Sequence, residues 1–326
     1  MLKIFNNYQI HTAFFVILTA MPLLIARLYL QDMPIAELPQ FFVYINEHKS
    51  LALTIFSILI LFQAFWLNSL INYYRIGKKT SFYSAIIFLL VSLSFNGNEI
   101  VGPSLFSNLF VIAAINQFFK AHDDKNTVKE IFNGAFFCAM AVVINPETFP
   151  YLLFAIAAWL KVRTFTAREF IILLLGIIAP FYLIGTYMYL NDKLLIWFVY
   201  LFGHFGYISA TFQPNLIFGV TVSGIGFLGL IGIFNYSGIK AKTNIREQKY
   251  IDLLFFLLFF SGLFWIMNRK IDVDSLRMLA LPLSVFISLN LQAIKNQRLC
   301  ELQFFLLLAL AVFANFGKQI LSFFGY

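Results

Sequence analysis

The spacing of positive charge constrains the fold of this 326-residue chain more than any other feature. Sixteen of its 23 Lys and Arg residues fall at the N-terminus or in every second gap between long apolar segments. They are Lys3, Arg75, Lys78, Lys79, Lys120, Lys125, Lys129, Lys161, Arg163, Arg168, Lys240, Lys242, Arg246, Lys249, Lys295 and Arg298. Because cytoplasmic loops of membrane proteins are enriched in Lys and Arg, this alternation predicts a chain that crosses a membrane many times.

The composition excludes a water-soluble protein. Hydrophobic residues make up 61% of the chain and charged residues only 12%, and 42 residues are Phe. A soluble domain that exposed so much aromatic surface would aggregate, whereas lipid acyl chains accept it. Lipid is therefore the expected solvent, and membrane lipids are the expected neighbours.

Apolar runs long enough to approach a bilayer's thickness predict about eleven spans, within a range of about 9 to 12. They cover residues 11–30, 51–73, 82–95, 104–119, 131–144, 149–160, 170–190, 216–236, 251–267, 278–291 and 304–316. The prediction is an all-α, polytopic transmembrane helical bundle, a single domain over 1–326, with a cytoplasmic N-terminus and a periplasmic C-terminus. Short runs near 82, 131 and 149 indicate local thinning of the bilayer, or a re-entrant hairpin over 131–160.

Several classes of function find no support in the sequence. It contains no GxxxxGK[ST] phosphate-binding loop and no HExxH or GxSxG pattern, so no metal-binding motif and no ATPase motif is predicted. The net charge of +8 is spread in small groups at segment ends, which is typical of attraction to anionic lipid headgroups. Nucleic acid is therefore not an expected partner.

The gaps that lie between the Lys- and Arg-rich ones are predicted to face outward, and we call them the outer gaps. The first outer gap carries the first candidate site residues. Residues 31–50 are aromatic enough to predict a helix lying on the headgroup plane, and they include Asp32 and Glu37. These carboxylates could bind a divalent cation, the one candidate cofactor, or take a proton from an attacking hydroxyl. The alternative is that these carboxylates only keep the loop hydrated and offset its positive charge.

Two further outer gaps carry one candidate each. Glu99 lies among turn-forming residues between short segments, where it could occupy a cavity with perturbed acidity or merely accept hydrogen bonds from a tight connection. His204 lies in the aromatic stretch 194–212, which predicts a second interfacial helix. It could shuttle a proton, bind a phosphate, or serve as a polar anchor.

The fifth outer gap breaks the charge pattern. Arg269, Lys270 and Arg277 place three cations where the alternation predicts few. They could clamp a phosphate or pyrophosphate, with Arg offering paired hydrogen bonds and Lys a point charge. Pairing with Asp272 and Asp274 would instead make this loop nearly self-neutral.

Two stretches carry a family resemblance. Residues 108–189 resemble the middle part of GT-C class membrane glycosyltransferases. The start of a late span in those proteins is similar to the sequence Arg277-Met278-Leu279-Ala280-Leu281-Pro282-Leu283. Over nearly its full length the chain also resembles a family of multi-pass inner-membrane proteins of Bacteroidota. The GT-C resemblance implies a polyprenyl-phosphate sugar donor handled at the periplasmic face of a bacterial inner membrane.

The resemblance also implies roles for the candidate residues. Asp32 or Glu37 would be the base that activates the acceptor, Glu99 a second acidic group, and the cations of the fifth outer gap the clamp on the lipid phosphate. Two other hypotheses stay open. The protein could be a non-catalytic scaffold or assembly subunit of a secretion or motility complex in the cell envelope, with membrane-protein partners, or a lipid flippase or transporter.

Overall fold

In a computed structural model, every described element of the chain is helical. The structure describes residues 5, 10–30, 40–77, 80–95, 100–123, 127–203, 216–241, 243–267, 273–294 and 296–323. The first helices are α1 (Ile10–Leu30), α2 (Gln40–Glu47), α3 (Lys49–Tyr73), α4 (Tyr83–Ser94), α5 (Pro103–Asp123), α6 (Val128–Ile144) and α7 (Pro150–Val162). The later ones are α8 (Ala167–Leu190), α9 (Leu194–Gly203), α10 (Leu216–Phe234), α11 (Tyr236–Lys240), α12 (Ile245–Met267), α13 (Val273–Ala293) and α14 (Gln297–Phe323).

The apolar segments of the sequence coincide with helices in the structure. By length and composition, five helices of the described chain can cross a membrane, at Lys49–Tyr73, Ala167–Leu190, Ile217–Phe234, Leu276–Ala293 and Gln297–Gly317. Shorter apolar helices cover Thr12–Ala26, Tyr83–Ser94 and Leu194–Gly203. The protein is thus a membrane-embedded protein whose described elements are all helices, while the count of about eleven spans and the orientation of the termini stay predictions.

Each of the two stretches predicted to be interfacial contains a helix, and its position at the membrane interface stays a prediction. Helix α2 falls inside 31–50, and α9 falls inside 194–212. Helix α2 is amphipathic, because Phe42 and Ile45 are buried while Tyr44 is exposed, and it packs on α3. Residues 31–39 of the first stretch and 204–212 of the second lie outside the described part of the chain.

The contacts divide the chain into two compact units. Unit 1 comprises Met1–Leu105, Gln213–Glu247 and Asp272–Tyr326, and unit 2 comprises Phe106–Phe212 and Gln248–Ile271. Most of α5 and α12 therefore belongs to unit 2, and the predicted single domain over 1–326 stays a prediction.

Helix α4 is the centre of unit 1. All of its 12 residues are buried, and it packs against α1, α3, α13 and α14. At 1.5 Å per residue it is only about 18 Å long, too short to cross about 30 Å of hydrocarbon. The short run near 82 is therefore explained by protein packing: the neighbouring helices, and not lipid, surround this helix.

Polar side chains link helix ends in unit 1. At one end, the Asn72 amide donates to the Ser81 carbonyl oxygen at 3.0 Å, and Gln292 donates to the Ser81 hydroxyl at 3.1 Å. Asn235 donates to Asn290 at 2.9 Å. These residues flank three of the Lys- and Arg-rich gaps, so the structure brings together gaps that the charge pattern assigns to one face.

Unit 2 is built on the packing of α6 along α8. Gly176 of α8 lies against the α6 backbone, since a Cβ atom there would stand 2.6 Å from the Phe132 carbonyl oxygen. A 3₁₀ turn at Pro146–Thr148 joins α6 to α7. The Asn145 side chain accepts a hydrogen bond from the Glu147 amide at 3.2 Å and so caps this turn.

The other end of unit 2 holds the Lys- and Arg-rich gaps. Lys161 at the end of α7 pairs with the largely buried Asp252 of α12 at 2.8 Å. Tyr250 of α12 donates to Asp123 at the end of α5. The Trp159 indole donates to Glu169 of α8 at 3.2 Å. Three gaps again meet at one end, as the alternation of charge predicts.

Candidate functional site

One of the seven candidate site residues lies in the described part of the chain. Arg277 is described, whereas Asp32, Glu37, Glu99, His204, Arg269 and Lys270 lie outside the described residues. The position of Arg277 therefore decides what the structure adds to the predicted site.

Arg277 is a buried cation near the start of α13. Its side chain is only 2% exposed, although it lies inside the candidate span Leu276–Ala293. The Nη1 atom donates to the Ile100 carbonyl oxygen at 3.3 Å, and the guanidinium carbon lies 5.3 Å from the centre of the Phe56 ring. The carbonyl dipole and the ring face both favour a positive charge.

Asn46 joins α2 to the segment that Arg277 contacts. Its amide nitrogen donates to the Val101 carbonyl oxygen at 2.8 Å and to the Phe42 carbonyl oxygen at 2.9 Å. Its side-chain oxygen accepts from the Val101 amide at 3.1 Å. Asn46 thus pairs with both backbone groups of Val101, as a neighbouring β-strand would, and holds this short segment in place.

These contacts form a feature that we call the outer junction, defined as Asn46, Phe56, Ile100, Val101 and Arg277. Asn46 comes from the first predicted outer gap, Ile100 and Val101 from the second, and Arg277 from the fifth. Six of the seven candidate residues belong to these three gaps. The junction therefore ties the chain segments that carry the predicted acids to the segment that carries the predicted phosphate clamp.

The electrostatics of the outer junction favour an anion. Arg277 holds its positive charge away from water, where a nearby anion is strongly attracted. The N-terminal end of α13 also carries a partial positive charge, which makes the first turns of a helix a poor place for a cation. A phosphate that reached this end of α13 would meet both the guanidinium and the helix N-terminus.

Sequence reasoning missed two of the three side chains that form the junction, those of Asn46 and Phe56. Asn46 gave one usable signal, because it is an amide on an aromatic amphipathic stretch, where a buried polar group needs partners. Phe56 gave none, since nothing distinguishes it in sequence from the other 41 Phe residues. Its role as the platform for Arg277 follows only from the packing of α3 near α13.

No group of three or more His, Cys, Asp or Glu residues in the described ranges is arranged to hold a metal ion. The predicted divalent-cation site rests on Asp32 and Glu37, outside those ranges. Comparison with known proteins finds no match to a protein-family model, to a curated protein or to a solved structure.

Proposed function

We propose that this membrane protein handles a polyprenyl-phosphate-linked sugar at the outer face of a bacterial inner membrane, in the manner of a GT-C class glycosyltransferase. The outer junction carries the proposal, because it joins the three gaps that contain the candidate acids and cations. An ionisable residue buried inside a membrane span is costly, and such residues usually mark a functional site.

Each candidate residue has a role in this proposal. Arg277, with Arg269 and Lys270, holds the phosphate of the lipid donor. Asp32 or Glu37 takes the proton from the acceptor hydroxyl, and Glu99 supplies a second acidic group. Glu99 directly precedes Ile100, whose carbonyl oxygen accepts the hydrogen bond from Arg277.

The proposal is tested by lipid binding. The purified protein, reconstituted in nanodiscs, is titrated with a short-chain polyprenyl phosphate, and the variant Arg277→Gln is compared with the wild type. We expect affinity to fall by at least about tenfold, since a hydrogen bond to a charged group contributes about 1.5–3 kcal/mol. Arg277→Lys keeps the charge but loses the planar fork, so its affinity should lie in between.

Arg298→Gln is the matched control. Arg298 is exposed near the start of α14, in a Lys- and Arg-rich gap, and its loss should leave polyprenyl-phosphate binding unchanged. Equal binding by the wild type and a folded Arg277→Gln variant would refute the phosphate clamp. Co-purification of a stoichiometric membrane partner with that variant would then favour the assembly-subunit hypothesis.

A further inference from the structure

Unit 2 contains a cavity of about 630 Å³ that the outer junction does not involve. It lies between the second half of α8, helix α9 and the turn that joins α6 to α7. Its lining includes Pro146, Leu152, Tyr182, Thr186, Trp197 and Phe198. This volume falls within the range of about 300–1,000 Å³ that is usual for ligand sites.

The chemistry of the lining selects a hydrocarbon. The wall consists mainly of aliphatic and aromatic side chains. The Thr186 hydroxyl already donates to the Tyr182 carbonyl oxygen at 2.8 Å. On the neighbouring α9, the Tyr200 hydroxyl donates to the Ile144 carbonyl oxygen at 2.9 Å. A sugar or phosphate would lose its hydration here without gaining these donors, whereas an acyl chain loses nothing.

The cavity lies beside a helix that faces the bilayer, and the lipid chains there are the source of the hydrocarbon. Helix α8 is a candidate membrane span of 24 residues, and only 17% of its most apolar window is buried within the protein. Ile178 and Tyr182, which line the cavity, are themselves largely exposed. The cavity therefore opens towards the bilayer, where lipid chains are the solvent.

The charges of the turn between α8 and α9 indicate which lipid headgroup would fit beside the cavity. Asp192 and Lys193 are both exposed there, between the lining residues Tyr189 and Leu194. The turn belongs to a predicted outer gap, at headgroup depth. It offers one charge of each sign, which complements the phosphate and the amine of a zwitterionic phospholipid.

We propose that this cavity binds one acyl chain of a zwitterionic phospholipid from the outer leaflet, with the headgroup at Asp192 and Lys193. The site is separate from the proposed function, since it uses only residues of unit 2. The bound lipid fills the space between α8, α9 and the 3₁₀ turn, where helix packing alone leaves a gap.

Bromine on a lipid chain quenches tryptophan fluorescence on contact, and Trp197 lines the cavity. The protein is reconstituted with phosphatidylcholine whose chains are brominated, and the contribution of Trp197 is taken as the difference from a Trp197→Phe variant. Thr186→Phe and Leu152→Phe each fill the cavity from a different helix. We expect each to lower the quenching of Trp197 roughly twofold, because the added ring replaces the chain contacts.

Ile171→Phe and Leu153→Phe are the controls, since both residues are exposed on the same helices and neither lines the cavity. They should leave the quenching unchanged. Equal quenching in the wild type and in whichever filling variant folds would overturn the proposal. Recovery of fluorescence on adding a small fraction of unbrominated polyprenyl phosphate would also overturn it, because the cavity would then take the donor chain. Neither result depends on the Arg277 binding test.

Discussion

At the scale of single residues, the outer junction depends on side chains that replace backbone pairing. Residues 100 and 101 lie between α4 and α5 and are fully buried, so their backbone groups need partners from elsewhere. Asn46 supplies both partners of Val101, and Arg277 supplies one for Ile100. The same two side chains hold the junction together, and Arg277 alone gives it its positive charge.

The variant Asn46→Ala should be clearly less stable than the wild type. It leaves the buried amide and carbonyl groups of Val101 without their partner, at a cost of about 1–3 kcal/mol for each buried group. Asn191→Ala is the comparison, because the exposed Asn191 amide donates only within its own helix end, to the Tyr187 carbonyl oxygen. Thermal unfolding in detergent measures both, and equal unfolding temperatures would show that the Val101 pairing contributes little.

At the scale of elements, close approach of backbones fixes unit 2. Gly176 allows α8 to lie on α6 with no side chain between them, which is the usual way for helices to pack tightly in membranes. A methyl group at this position would clash with the Phe132 carbonyl oxygen, a backbone atom that cannot move aside as a flexible side chain could.

Gly176→Ala should therefore destabilise unit 2 by about 1–3 kcal/mol, the usual cost of overpacking. Gly262→Ala in α12 is the matched change, since a Cβ atom there meets nothing within 4 Å. It should be neutral, or stabilising by up to about 1 kcal/mol, because Ala favours a helix. Denaturant-induced unfolding separates the two variants, and an equal effect would refute the packing argument.

Helix positions could be predicted from the sequence because apolar runs and helices coincide, but two features could not. Helix α14 begins at Gln297, earlier than the predicted 304, because its first turns are helical but polar. Helix α4 was recognisable as a short apolar run, yet hydropathy cannot show whether lipid or protein covers such a run.

The candidate site could be predicted only in part. The cations and acids of the outer gaps were evident from the sequence. The Asn46–Val101 pairing could not be predicted, because it joins residues that are far apart in the sequence.

At the scale of the whole molecule, the Lys- and Arg-rich gaps meet at one end within each unit. In unit 2 that end is marked by the Lys161–Asp252 ion pair, and in unit 1 by the Asn235–Asn290 contact. The grouping agrees with the alternation of charge, and the assignment of that end to the cytoplasm stays a prediction.

Reporter fusions test this assignment. A fusion at Lys125 follows the end of α5, and one at Lys242 lies between α11 and α12. Both should be cytoplasmic, with high activity for a cytoplasmic reporter and low alkaline phosphatase activity, because their loops are rich in Lys and Arg. A fusion at Asp192 should show the opposite pattern. Lys125 and Lys242 on different faces would refute the arrangement of spans.

The position of α4 also has a consequence for how the protein is made. Its Ser84 hydroxyl contacts Ser288 of α13 at 3.1 Å, and the Asn315 amide of α14 donates to its Leu93 carbonyl oxygen at 3.0 Å. Ribosomes deliver these partners only long after α4 itself has been made. Until then the nascent helix is too short to span a bilayer alone, so the insertion machinery must shelter it while some two hundred further residues are translated.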